Sequence, residues 1–197
     1  MEIGTTPLVV RGTISSTQLA GDHRIVVGRW PTSPIGPLVD VMWRAPDGER
    51  RLLVDSEEGA ALITSIYEFD DVRIGPLRVE GDDRHTRVRT DGLELDVTGG
   101  RRRPVPVRRP LAFTCLVEAP IARALMGVEV HGLSPRGALE WYQTTGWRWI
   151  DHGRAAIDGV DVGAPRPFTG PVGVGFSEPP ARPSIVSVRV TIVRPGP

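Results

Sequence analysis

Apolar residues along this chain come in short bursts separated by glycine and proline, and within most bursts they alternate with polar residues. Side chains of an extended strand point to opposite faces in turn, so this period of two predicts strands rather than helices. Leu8 to Ile14 and Arg24 to Trp30 are the first two, linked by the polar stretch Ser15 to Asp22. Val39, Val41 and Trp43 then alternate with Asp40, Met42 and Arg44, Pro46-Asp47-Gly48 turns the chain, and Arg51 to Val54 returns as the second arm of a hairpin. Val72 to Glu80 and Thr86 to Thr90 read as further strands, and Asp91-Gly92 turns into Leu93, Leu95 and Val97 with Glu94 and Asp96 toward water. The remaining strands are Val128 to His131, Ala138 to Thr144, Trp147 to His152, Arg154 to Ile157, Val172 to Phe176 and Ile185 to Val193.

Two segments depart from the period of two. Ser56 before Glu57 and Glu58 is a helix start, because a serine cap accepts from free amides and acids oppose the positive end of the dipole. Leu62, Ile63, Ile66 and Tyr67 then fall at helical spacing as one buried stripe that ends before Asp70. A second short helix covers Pro120 to Met126, with proline in the first turn, where no amide is needed. The fold class expected is mainly β (α+β): a single antiparallel β-barrel or sandwich of about a dozen short strands with two short helices. Residues 1–197 read as one β-rich domain, and 99–110 (GGRRRPVPVRRP) as a loop rich in arginine and proline.

Composition narrows the chemistry. The chain has 24 basic and 24 acidic residues, every basic residue is arginine, and asparagine is missing too. Without lysine there is no Schiff base to a carbonyl or to pyridoxal phosphate and no P-loop lysine, while arginine stays protonated and serves to hold anions. Nucleic acid is not an expected partner: net charge is zero and no aromatic residue interleaves with Arg101 to Arg109. Cys115 stands alone in the apolar run Leu111 to Val117, which reads as a buried, inert thiol. His23, His85, His131 and His152 show no metal-binding spacing, and Gly170 to Gly175 lacks the third glycine and the helix of a dinucleotide site. No metal and no cofactor are therefore expected. Met1 to Val10 has no signal-peptide pattern and no apolar run reaches membrane-spanning length, so the expectation is a soluble, cytoplasmic protein without a membrane partner.

The densest aromatic region is Trp141, Tyr142, Trp147 and Trp149, which suits either a core or the wall of a ligand pocket. Glu140 and Tyr142 share one strand face, as do Glu129 and His131, and either pair would give a pocket a carboxylate with a proton-transfer partner. The candidate catalytic residues are thus Glu129, His131 and Glu140.

Gly127-Val128-Glu129-Val130-His131-Gly132-Leu133-Ser134-Pro135-Arg136, entered from the short helix, resembles the Gly-Arg-Glu-x-x-Gly-x-Pro-Lys-Lys segment of the acetoacetate decarboxylase-like superfamily. The resemblance implies a β-barrel with an enclosed pocket. It also implies that a lysine after the proline would carry the Schiff base, and here Arg136 follows Pro135 and Gly137 follows that. A guanidinium cannot form the imine, so the family's decarboxylase chemistry is not expected, and Arg136 becomes the anion contact of the pocket. The resulting expectation is a β-barrel for a small organic acid or carbonyl ligand, with Arg136, Tyr142, Trp141 and Trp149 as binding residues and metal-independent acid/base chemistry within reach. The alternative is a non-catalytic structural or interaction domain, dimeric through an exposed strand edge.

Overall fold

A computed structural model of the chain describes residues 6–105 and 110–195. Thirteen strands join in one sheet. They are β1 (Leu8–Gln18), β2 (Arg24–Thr32), β3 (Leu38–Arg44), β4 (Arg50–Val54), β5 (Asp71–Ile74), β6 (Arg78–Gly81), β7 (His85–Arg89), β8 (Leu93–Gly99), β9 (Arg103–Pro104), β10 (His131–Leu133), β11 (Leu139–Ile157), β12 (Val160–Gly163) and β13 (Ser184–Val193). The main path runs β5-β4-β3-β2-β1-β13-β11-β8-β7-β6, with β9, β10 and β12 paired to β11. Helix α1 (Glu57–Thr64) lies between β4 and β5, and its detour lets those two strands pair in parallel, which a tight turn cannot do. The sheet is therefore mixed rather than purely antiparallel, and it curls as a half-barrel whose terminal strands β5 and β6 follow one another in the chain without hydrogen-bonding as neighbours.

Both faces of the sheet are buried. One core gathers Ile25, Val41 and Leu53 from β2, β3 and β4 together with Val88, Leu95, Val97 and Ile157 from β7, β8 and β11. Strands distant in sheet order meet there, so the sheet curls around this core, and side chains fill it. The second core, on the opposite face, includes Leu52, Val54, Val188, Val190 and Ile192 from β4 and β13, covered by Ile63, Ile66 and Tyr67 of α1 and its continuation and by Val172 and Val174. Double-sided burial explains unbroken apolar runs such as Leu52-Leu53-Val54, in which adjacent residues enter different cores.

Several predicted elements change. Val72 to Glu80 divides into β5 and β6 at Gly75-Pro76, since proline has no amide to give a ladder. The three strands expected between Ala138 and Ile157 are one, β11, which bends at register shifts between Thr144 and Gly146 and between Ile150 and His152. Val128 to His131 is not a strand; pairing begins at His131. Nor is Val172 to Phe176: the Glu178 carboxylate accepts from the amides of Val172 (2.6 Å) and Gly173 (2.9 Å), taking donors that a ladder would use. The run Leu111 to Val117 is helical, with α2 (Leu111–Phe113), a wider π-type turn over Thr114–Glu118, and α3 (Ala119–Met126). Of the arginine-rich loop, Arg103 and Pro104 form β9 against Trp147 and Gly146, while Arg108 and Arg109 lie outside the described residues. Among the described residues no helix is long and apolar enough to cross a membrane.

Candidate functional site

A cavity of about 190 Å³ lies between the second face of the sheet and its cover. Its floor is β1, β2, β3, β11 and β13, contributing among others Val10, Val26, Met42, Val186 and Val190; α1 supplies Leu62 and Ile63, and the strap 172–180 supplies Val174, Phe176 and Pro179. Aliphatic side chains dominate, and two fully buried carboxyls, Glu140 and Asp40, interrupt them.

Glu140 and Tyr142 project from β11 on one face, as their spacing requires. Tyr67 reaches them from the turn after α1. Ser56 caps that helix by accepting from the Gly59 amide (3.2 Å), and the Tyr67 amide donates to the Ile63 carbonyl (2.9 Å), extending the turn toward β11. The Tyr67 hydroxyl donates to Glu140 Oε2 at 2.5 Å and lies 2.7 Å from the Tyr142 hydroxyl, which itself donates to Oε2 at 3.1 Å. Two hydroxyls thus converge on one carboxyl oxygen, while buried Oε1 has no partner among the described residues. Burial disfavours the charged form more than the two hydroxyls favour it, and the Glu140 pKa is pushed up to about 7. Burial also raises both tyrosines well above their usual range, so they remain hydrogen-bond donors. The second carboxyl, Asp40, accepts from the Trp30 indole N–H at 2.7 Å, and burial raises it to about 6.

The strap seats on this group. Phe176 meets the Tyr142 ring edge-on at 5.6 Å, and Gly132 on β10 leaves room for it, because a Cβ there would press on the Phe176 ring. The Ser177 hydroxyl accepts from the Glu129 amide at 3.1 Å.

The other residues expected from sequence are placed as follows. Glu129 lines the cavity, but its carboxylate is bound to exposed Arg123 at 2.6 Å, which holds it below the usual carboxylate range. His131 lies against Trp141, ring centroids 5.2 Å apart, and is not among the lining residues. Trp141 turns to the opposite face of β11, where its indole donates to Cys115 Sγ at 3.2 Å, so the thiol expected to be buried is half-buried and accepts a bond. Trp149 stacks under the Arg182 guanidinium, 5.3 Å from the ring centroid, outside the cavity. Arg136 is corrected most: it sits exposed in the turn between β10 and β11 and donates from Nε to the Tyr67 carbonyl at 3.4 Å. It steadies the end of the α1 turn from outside and supplies no cation to the cavity. In the sequence, Asp40 is one member of an alternating strand and Tyr67 belongs to an apolar stripe, so neither stands out as a site residue. Among the described residues no three His, Cys, Asp or Glu side chains converge as a metal site.

No family profile matches the sequence, and no curated protein matches it. Among solved structures the chain is similar to acetoacetate decarboxylase from Legionella pneumophila subsp. pneumophila str. Philadelphia 1, at 9% sequence identity over 96% of this chain and 85% of that one, with a TM-score of 0.48.

Proposed function

We propose that the protein binds a small, uncharged, mainly apolar carbonyl compound in this cavity, with Glu140 as its acid–base residue. The observation that carries this reading is a fully buried carboxyl on an apolar wall, braced on one oxygen by two tyrosines and unpartnered on the other. A carboxyl titrating near 7 is suited to give and retrieve a proton at neutral pH. Among the described residues the lining includes Asp40, Glu129, Glu140 and Glu178 but no arginine, so no described side chain of the wall balances the charge of an organic acid, and a neutral carbonyl compound fits better.

In its neutral form Glu140 donates to the ligand oxygen, and Tyr67 and Tyr142 stabilise the carboxylate left once the proton has passed. Polarised this way, a carbonyl compound has a more acidic adjacent C–H bond. The test is titration of cyclohexanone into the protein by NMR. Wild-type affinity should fall about tenfold per pH unit above 7, because the donor is lost as Glu140 ionises. E140Q, which keeps a donor that does not ionise, should bind with no such fall. Affinity independent of pH in the wild type would remove Glu140 from the reading.

A further inference from the structure

The cavity holds a second built polar group that the acid–base reading does not use. Asp40 is 2% exposed, on β3, and among the described residues its hydrogen bond is the one from Trp30 to Oδ1. Gly28 on the adjacent strand β2 is what makes the pair fit: a Cβ there would collide with both Asp40 Oδ1 and Trp30 Nε1. Gly28 does not have a positive φ, so its backbone could carry a side chain, and the requirement is for space alone. A carboxyl in an apolar wall costs stability unless something polar meets it, and with Trp30 on Oδ1 the second oxygen of Asp40 is left for a polar group in the cavity that Asp40 lines. In sheet order β2, β1 and β13 separate β3 from β11, so Asp40 and Glu140 occupy different parts of the wall.

Resting on the reading of Glu140 above, we infer that Asp40, held by Trp30, is a second anchor, and that the ligand is a hydroxy ketone or an equivalent small molecule offering an acceptor to Glu140 and a donor to Asp40. Geometry leaves one oxygen of each carboxyl for a ligand, since the Trp30 N–H takes Asp40 Oδ1 and two tyrosine hydroxyls take Glu140 Oε2; burial raises both acids, Glu140 to about 7 and Asp40 to about 6, which makes Glu140 the better donor and Asp40 the better acceptor of the two. They therefore select opposite hydrogen-bonding groups at the two ends of one molecule. A carbonyl compound with no donor satisfies only one of them.

The experiment compares cyclohexanone with 2-, 3- and 4-hydroxycyclohexanone at pH 6.5 by NMR titration of the intact protein. At least one hydroxylated isomer should bind about tenfold tighter than cyclohexanone, the yield of one hydrogen bond to a charged acceptor. In D40N, which puts an amide where the accepting oxygen stood, that preference should fall to about one. G28A, which displaces the pair without touching its chemistry, should shrink the preference as well and serves if D40N does not fold. No preference in the wild type, a preference that survives both substitutions, or no binding of any of the four probes overturns the proposal. The reading of Glu140 fails separately, if E140L leaves the affinity for cyclohexanone unchanged while the hydroxyl preference still depends on Asp40.

Discussion

Burying Glu140 and Asp40 has a consequence for stability whose sign follows from the direction of their shifts. Both acids have folded pKa values above their unfolded ones, from 4.5 to about 7 and from 3.8 to about 6. Each therefore contributes stability that is complete below its unfolded value and is lost as pH rises through its folded value. His23 acts against this, since burial beside Trp43 lowers its pKa and folding favours its neutral form as pH rises toward 6.5. For Glu140 alone the expected loss between pH 5 and pH 8 is about 2 to 3 kcal/mol. Urea unfolding at the two pH values should show that loss in the wild type and a fall smaller by about that amount in E140Q; equal falls would mean that Glu140 is not titrating as a buried acid. At this scale the sequence is partly legible. Glu140 and Tyr142 are two apart on a strand, and that spacing places them together whatever the tertiary fold. Tyr67 is legible only as a member of an apolar stripe, because nothing local says that its hydroxyl finds a carboxyl 73 positions away. Asp40 is hidden by the assumption that the polar member of an alternating pair meets water, which fails in a sheet covered on both sides. Arg136 misleads for the converse reason: its position after Pro135 resembles a family motif, but a turn residue's direction is set by the strands it joins.

At the level of elements, the strap 172–180 depends on one side chain. Glu178 accepts from two backbone amides of its own loop, and those bonds hold Val172 and Val174 in the second core and Phe176 over Tyr142. E178A leaves two amides without that acceptor and should cost about 1 to 3 kcal/mol. Its more specific signature is faster hydrogen exchange confined to the strap and the facing residues of β10 and β11, with β7 and β8 unchanged. Exchange that rises evenly over the sheet would mean that Glu178 supports the whole fold rather than the cover of the cavity. Helix α1 and most strands are readable because capping chemistry and a period of two are local signals. The strap imitates a strand because Val172, Val174 and Phe176 do alternate, and only the distribution of amide donors distinguishes a loop packed on a core from a strand paired to a neighbour. The first half of the helical stretch 111–126 escapes a sequence reading for a related reason. Its apolar residues Phe113, Leu116 and Val117 are exposed, so the burial pattern that usually marks a helix is not there to be read.

Across the whole molecule, one face of the sheet carries a filled core and the other a covered cavity, where the proposed binding takes place. The core inside the curl joins strands from both ends of the sheet order and is filled by side chains, so a substitution there removes contacts between distant parts of the chain. The opposite face already contains an empty volume, and its lining gives up fewer contacts when trimmed. Leu95 and Val186 test the division. Leu95 is 2% exposed in the first core, and L95A should cost about 3 kcal/mol, within the range for a buried leucine whose site cannot collapse. Val186 lines the cavity from β13 and is only partly buried, so V186A enlarges a space that is already present and should cost about 1 kcal/mol or less. Ligand binding should respond in the opposite order. V186A alters the shape of the wall and should shift the affinity for cyclohexanone, whereas L95A should leave it unchanged at temperatures where the variant remains folded. Urea titrations and NMR binding curves on the two variants measure both quantities. If V186A proved the costlier substitution, the cavity face would be carrying the fold, and the separation of a filled core from a covered, hollow one would have to be abandoned.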